Sequence, residues 1–378
     1  MTTELPGRPT VAVIDAASLR HNFTQLRARL PAGVGVLAVV KANGYGHGAR
    51  LVGPILEAAG AEWLGVATIE EAIELRGAGV RQRILVLTGA SGRDIAAVRE
   101  HDLTVALLHC EMARDLAAAA HGYRVRIHIK VDTGMGRIGV LPAELAVLLE
   151  TVRSLGAFEI DGLFSHFANA DSVERAYSDY QLVAFQNALE VLSQSGVHPR
   201  WVHLANSAAT LSRPDAQFSL VRPGIALYGV PPAPQFGSAG LLPVMKLRTR
   251  IWELKRVPSE FPVSYGQTFV TRRPSALAVV PIGYADGYDR RLSNRGEVLV
   301  RGRRAPVVGA VCMDLTVVDV TDVAGVQVGD EVVLWGCQDG AEISVTEVAQ
   351  WQGTVPYEVL TRLGPRVPRI LENASTPH

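Results

Sequence analysis

Eight short runs of β-branched and other apolar residues alternate with amphipathic stretches over roughly the first 230 residues, and no other feature limits the fold as sharply. The runs are Val36–Lys41, Trp63–Ala67, Ile84–Leu87, Leu103–Leu108, Arg126–Asp132, Glu159–His166, Trp201–Ala205 and Phe218–Arg222. Helical spacing of apolar residues fills the intervals, as in Ile69–Arg76, Arg93–Glu100, Ala143–Leu155 and Glu174–Ser195. Strands separated by helices pair in parallel through crossovers, and eight such repeats form a closed (β/α)8 barrel of the TIM type. A doubly wound open sheet is the alternative if one or two strands are miscounted. At Pro231–Pro243 the chain becomes a turn-rich linker, and the pattern then changes to period two. Lys246–Trp252, Ala276–Pro281, Glu297–Arg301, Val311–Val320 and Glu331–Trp335 read as strands, with Val345–Gln352 as the main helix. The expected division is a barrel over residues 1–240 and a small, mostly β domain over 241–378.

Composition narrows the function classes. The 378 residues carry 37 basic and 37 acidic side chains, so no net field favours nucleic acid or an anionic membrane as partner. Cys110, Cys312 and Cys337 are scattered and odd in number, which argues against a disulfide framework and a structural zinc site. Met1–Thr10 is polar, with no apolar segment behind a basic start, and no run reaches the length of a membrane span. The expected compartment is the cytoplasm, and the expected ligand is small and neutral or zwitterionic.

Three segments of the barrel half carry chemistry. In Val39-Val40-Lys41-Ala42-Asn43-Gly44-Tyr45-Gly46-His47-Gly48 an apolar strand ends in a lysine, followed by glycines that permit tight turns. A strand-end lysine by itself more often reaches out to water. Partly desolvated at a barrel mouth, its amine has a lowered pKa and forms a Schiff base with an aldehyde. The phenol, the histidine and three glycines within seven residues favour that second reading. His203-Leu204-Ala205-Asn206-Ser207 and Val221-Arg222-Pro223-Gly224-Ile225 follow the seventh and eighth runs, where barrels bind phosphate through backbone N–H groups and helix starts. Taken singly, Ser207 is a plain N-cap and Gly224 a turn glycine. In Ile127–Arg137, alternation puts His128, Lys130 and Asp132 on the face opposite Ile127, Ile129 and Val131. A lysine pointing into a barrel must be ion-paired, with Asp132 as the near partner, or chemically modified. Arg137 lies beyond it in a glycine-rich loop, where a guanidinium can hold a carboxylate.

The β half offers Val263-Ser264-Tyr265-Gly266, Gly283-Tyr284-Ala285-Asp286-Gly287 and Cys312-Met313-Asp314, each at the end of a strand pattern. By residue type alone each is a turn with a packed tyrosine. The residues thus describe a barrel enzyme with a phosphate-bearing ligand and a Schiff-base lysine, and name no reaction.

Together, VVKANGYGHG, KVDTGMGRIG, HLANSAA, VRPGIALYG, VSYG, GYADGY, CMD and RVPR resemble, in order and nearly end to end, the alanine racemases of the fold-type III pyridoxal-phosphate enzymes. The resemblance implies pyridoxal 5′-phosphate as cofactor and interconversion of L- and D-alanine, supplying D-alanine for bacterial peptidoglycan. It also implies a homodimer whose active sites are shared between chains. Position by position, Lys41 is similar to the cofactor-bearing lysine and base, and Tyr265 to the opposing base from the partner subunit. Tyr45, Asn206, Ser207, Gly224 and Ile225 resemble cofactor-binding positions. Arg222 resembles the residue at the pyridine nitrogen, His203 its support, and His166 the link between tyrosine and arginine. Arg137, Met313, Tyr284 and Asp314 resemble the substrate site, and Lys130 the carbamylated lysine of the family. Two positions depart from patterns seen in some members: Pro365 stands where a tyrosine is found, and Ala310 where an arginine precedes CMD. Both bear on the entrance to the site. Other readings are a racemase of broader specificity, a basic amino-acid decarboxylase of the same barrel, and a non-catalytic carrier of the cofactor. Arg222 argues against the decarboxylase, for which an acidic residue is expected there, and the β half argues against the single-barrel carrier.

Overall fold

The computed structural model describes residues 7–372. The described residues divide into two compact units, one spanning 17–242 and the other combining 7–16 with 243–372. The first strand, β1 (Val11–Ile14), therefore does not go with the barrel. It pairs antiparallel with Met245–Arg250 and parallel with Arg369–Leu371. The units divide at Leu242/Pro243, and the segment through Ala16, expected with the barrel, goes with the second unit instead. Four apolar residues carry no mark of partners more than 230 positions away.

Eight parallel strands make the barrel: β2 (Gly35–Val39), β3 (Trp63–Val66), β4 (Arg83–Val86), β5 (Leu103–Leu107), β6 (Val125–Lys130), β7 (Phe158–Phe164), β8 (Trp201–His203) and β9 (Leu220–Val221). Each pairs with its successor from β2 to β8, and β9 returns to pair with β2. The β8–β9 seam has no ladder, yet Ser219 N–H donates to the Val202 carbonyl (3.1 Å) and Arg222 N–H to that of Ala205 (2.8 Å). The ring is nearly closed. Strands covered on both faces must be apolar throughout, which is why β2, β3 and β5 are buried at every residue. The helices cover the ring. Ile69–Gly77 opens in a capping box, with Thr68 accepting from Glu71 N–H and Glu71 reaching back to the Thr68 backbone. The longest, Ala176–Gln194, buries Leu182, Phe185, Ala188 and Leu192 along one stripe.

The second unit is mostly β, with seven-, three- and two-stranded sheets. The helix at Val345–Gln352 forms as expected. Of Val311–Val320 only Thr316–Asp319 is strand. The residues before it turn back, with Cys312 N–H donating to the Leu315 carbonyl at 3.0 Å. Among the described residues no helix is long and apolar enough to cross a membrane.

Candidate active site

Lys41, Lys130, His166, His203 and Arg222 all stand at or just past the C-terminal ends of barrel strands, the end where barrel enzymes gather their chemistry. Lys41 opens a turn of unusual hand. Ala42, Asn43, Gly44 and Tyr45 have φ of 51°, 54°, 61° and 51°. Gly44 N–H donates to the Val40 carbonyl and Gly46 N–H to that of Ala42, closing i→i−4 bonds of a left-handed helical turn. Three of those four residues are not glycine, so the conformation is strained and must be held from outside. Glu71 holds it: one carboxylate oxygen accepts from Ala42 N–H (2.6 Å) and the other from Ala67 N–H (2.7 Å), at the end of β3. Asn43 accepts from Ala49 N–H (2.7 Å) at the following helix. In the sequence, Glu71 was visible only as part of a helix start. Burial lowers the Lys41 pKa, and Arg137 and Arg222 lower it further against the opposing pull of Glu71.

Arg222 is buried, and its four hydrogen-bond partners are all carbonyls or imidazoles. Nη1 donates to His203 Nδ1 (2.9 Å), and Nη2 to the carbonyls of Ser165 (2.7 Å) and Leu204 (3.1 Å) and to His166 Nδ1 (3.2 Å). A guanidinium only donates, so both imidazoles must present Nδ1 as a lone pair. Burial and the charge of Arg222 hold both histidines well below the usual histidine range, which agrees with neutral rings. Burial alone lowers Arg222 itself to about 9. Its Nε makes no hydrogen bond among the described residues.

The two loops read as phosphate cradles are joined to each other. Ser207 Oγ accepts from Gly224 N–H (2.8 Å) and Ala226 N–H (3.3 Å), while Asn206 caps the helix Ser207–Ser212 by accepting from Ala209 N–H. Asn206, not Ser207, is the N-cap. A Cβ on Gly224 would stand 2.4 Å from Tyr45 Oη, so only glycine lets the phenol approach the backbone there. Ile225 opens a short 3-10 turn against this point and is buried. Two hydroxyls beside glycine backbone, a guanidinium Nε and a desolvated lysine on one barrel rim fit the phosphate, ring nitrogen and aldehyde of pyridoxal phosphate.

Lys130 faces inward as alternation required and is 2% exposed. The ion pair with Asp132 does not form. Lys130 Nζ donates to the Val131 carbonyl (3.2 Å) and lies 5.5 Å from the centre of the Phe164 ring. Asp132 instead folds the loop ahead of it, accepting from the N–H groups of Gly134, Met135, Gly136 and Arg137 at 2.7–3.1 Å. That loop leaves Arg137 exposed at the rim. Burial and the nearby Arg222 lower the Lys130 pKa to about 7.

The remaining sequence candidates form a loop cluster within the second unit. Ser264 Oγ donates to the Ala310 carbonyl (2.6 Å) and lies 3.3 Å from Cys312 Sγ, tethering the turn that displays Tyr265, which is 73% exposed. Tyr284 N–H donates to the Cys312 carbonyl and Ala285 N–H to that of Met313. A Cβ on Gly283 would stand 2.2 Å from the Cys312 carbonyl oxygen, so the two turns pack backbone to backbone. Tyr284 and Met313 are exposed, whereas the Asp314 carboxylate is held by Arg366 at 2.6 Å.

Residues 14–232 match the family model described as alanine racemase, N-terminal domain, and residues 244–371 match alanine racemase, C-terminal domain. The alanine racemase of Geobacter sulfurreducens is 44% identical over 381 aligned residues, covering 99% of this chain and 100% of that protein. That of Symbiobacterium thermophilum is 45% identical over 365, covering 96% and 97%. Among solved structures, the alanine racemase from D-cycloserine producing Streptomyces lavendulae has a TM-score of 0.93 at 40% identity, covering 98% of this chain and 99% of that one. The alanine racemase from Bacillus anthracis with bound L-Ala-P has a TM-score of 0.94 at 38% identity, covering 98% and 97%.

Proposed function

The chain belongs to the alanine racemase family, and from that membership we infer that it interconverts L- and D-alanine, with pyridoxal phosphate held on the barrel rim and Lys41 and Tyr265 as its two bases. The observation that carries the reading is the convergence of Lys41, the Arg222 Nε and the Tyr45–Ser207–Gly224 cradle on one end of the barrel. When bound, pyridoxal phosphate acts as an electron sink for the substrate Cα. The chain's own groups do the rest. Lys41 takes or returns the Cα proton on one face, which requires a neutral amine, and burial beside Arg137 and Arg222 favours one. Tyr265, supplied by the partner subunit of a homodimer, acts on the opposite face. Arg222, whose guanidinium has no proton to give up easily, would hold the pyridine nitrogen through Nε–H; a ring nitrogen kept unprotonated in this way would favour return of the proton to Cα over transamination. The His166 tautomer leaves Nε2–H facing away from Arg222, suited to the phenol oxygen. Arg137 and the backbone of Met313 hold the substrate carboxylate, with Tyr284 and Asp314 at the rim. The enzyme works in the cytoplasm in this reading. A circular-dichroism assay against a panel of amino acids tests it. Racemisation of alanine, with serine slower or inert, is the expected result, and activity confined to a basic amino acid would reject it.

Gly224→Ala is expected to weaken cofactor retention while leaving the barrel folded. The added methyl meets Tyr45 Oη at 2.4 Å, and overpacking of this kind costs about 1–3 kcal/mol. Absorbance titration of cofactor-free protein should therefore show a dissociation constant raised roughly tenfold or more. Unchanged affinity would place the phosphate elsewhere.

Lys130 is the site of carbamylation in this reading. An amine lowered to about 7 has a substantial neutral fraction near neutral pH and can add carbon dioxide, losing one proton to give a carbamate anion near Arg137 and Arg222. In carbon-dioxide-free buffer the unmodified lysine sets a pH dependence. The folded chain binds fewer protons than the unfolded one between about 7 and 10.5. Stability contributed by this group should thus rise with pH across that window, by at most about 1.4 kcal/mol per unit. Below pH 7 the full cost of burying the cation remains. Denaturant titrations should show this slope in the wild type and lose it in Lys130→Met. With ¹³C-bicarbonate, a carbamate resonance absent from Lys130→Met is expected; its absence from the wild type would reject the modification.

A further inference from the structure

Arg222 is a buried cation without a carboxylate among its four hydrogen-bond partners, and an unpaired buried charge is costly. Two hydrogen bonds and one longer contact connect it to one. Because Arg222 donates to His203 Nδ1, neutral His203 must carry its proton on Nε2. That nitrogen lies 2.8 Å from His128 Nδ1, so His128 in turn accepts on Nδ1 and carries its proton on Nε2. In a fully buried ring, His128 Nε2 has no hydrogen-bond partner among the described residues, and the Asp161 carboxylate lies 3.9 Å away at Oδ2 as its neighbouring charge. Every tautomer along this path follows from the fact that arginine cannot accept. The direction is fixed from the site outward: guanidinium, imidazole, imidazole, carboxylate.

The backbone is shaped around the path at two independent points. The β6–β7 ladder pairs Ile127 with Ile160 but His128 with Gly162, leaving Asp161 as the extra residue of a bulge. Bulges in parallel ladders are rare, and they re-aim a side chain. Next to it, a Cβ on Gly162 would stand 2.5 Å from His128 Cγ and Nδ1, so only glycine leaves room for the ring. Beyond Asp161, Arg83 lies 3.3 Å from the same carboxylate oxygen and stacks over Trp63, whose edge meets His128 at a centroid distance of 4.9 Å. None of these groups belongs to the cofactor or substrate positions.

We propose that Asp161 is the distant counter-ion of Arg222, coupled to it through the fixed tautomers of His128 and His203, and that Asp161 and His128 are positioning residues for the racemisation. The kinetic part rests on the function inferred above; the relay itself does not. Full-length, cofactor-free protein labelled with ¹⁵N-histidine reads the relay directly. In the wild type both rings should be neutral at pH 7 with the proton on Nε2. A proton on Nδ1 of His128, or a charged His203, overturns the proposal. In Asp161→Asn, the Nε2–H resonances of His128 and His203 should both move. A change confined to His128 also overturns it.

In the holoenzyme, Asp161→Asn should lower kcat on the order of tenfold, as loss of a group supporting a site from behind does at metal centres, with KM for alanine changed less than about twofold. Unchanged kcat counts against the proposal. Packing and relay are separated at His128. Glutamine offers an acceptor to His203 Nε2–H, whereas phenylalanine fills the ring space with none. His128→Gln should retain more activity than His128→Phe, and the reverse order would make His128 a packing residue only. A wild-type protein inactive on every amino acid would sink the functional reading while leaving the NMR result to judge the relay.

Discussion

Borohydride reduction of the holoenzyme is expected to fix the cofactor on the peptide containing Lys41, and Lys41→Ala is expected to lose racemase activity by about three orders of magnitude or more. The size of the effect follows from what the residue does twice. In the proposed function it anchors the cofactor and also handles the proton on one face of Cα. Position supports both roles: Lys41 follows β2 directly, and a left-handed turn pinned by Glu71 fixes where its side chain begins. Burial, with Arg137 and Arg222 nearby, lowers the Lys41 pKa and so favours the neutral amine that nucleophile and base both require. Peptide mapping after reduction decides the matter. An adduct on Lys130, the other lysine at this end of the barrel, would overturn the assignment. Small primary amines should restore part of the lost activity to Lys41→Ala, because they supply the missing base while the rest of the site stays in place.

Strands β2 to β5 were legible because each is a short, mostly apolar run, as burial on both faces demands. Lysine, arginine and histidines at strand ends were legible for the same reason, as polar groups where an apolar run stops. What the sequence left hidden depends on pairing across distance or on backbone sign. The partners of β1 lie at Met245–Arg250 and Arg369–Leu371, and nothing in Val-Ala-Val-Ile selects them. Glycines at 44, 46 and 48 announced a turn, but Ala42 and Asn43 at positive φ did not, since neither is a residue that favours it strongly enough to be read. Alternation placed His128 inside correctly. It could not place Asp161 beside it, because simple alternation along β7 is broken by one bulged residue. By type, Asp132 offers one of two ways to neutralise Lys130, yet its position before Thr-Gly-Met-Gly suits a carboxylate that gathers backbone N–H groups.

Mixed dimers of Lys41→Ala and Tyr265→Phe are expected to regain activity that neither parent has. The two proposed bases lie in different compact units, Lys41 in residues 17–242 and Tyr265 in the other. Tyr265 is displayed on a tethered turn and is 73% exposed in the single chain, an unusual setting for a base that must act in a dry site. A partner subunit that receives this tyrosine resolves the difficulty. In a two-fold dimer the exchange happens twice, once in each direction. One site of a mixed dimer then collects both defects and the other collects none. With random assortment half the dimers are mixed, so about a quarter of all sites should be intact. Co-expression with two different affinity tags isolates the mixed species, in which about half the sites should work. If both bases came from one chain, every site would keep one defect and the purified heterodimer would be as inactive as its parents. That result would also remove the reason for Tyr265 to be exposed, and the opposing base would have to be sought within residues 17–242.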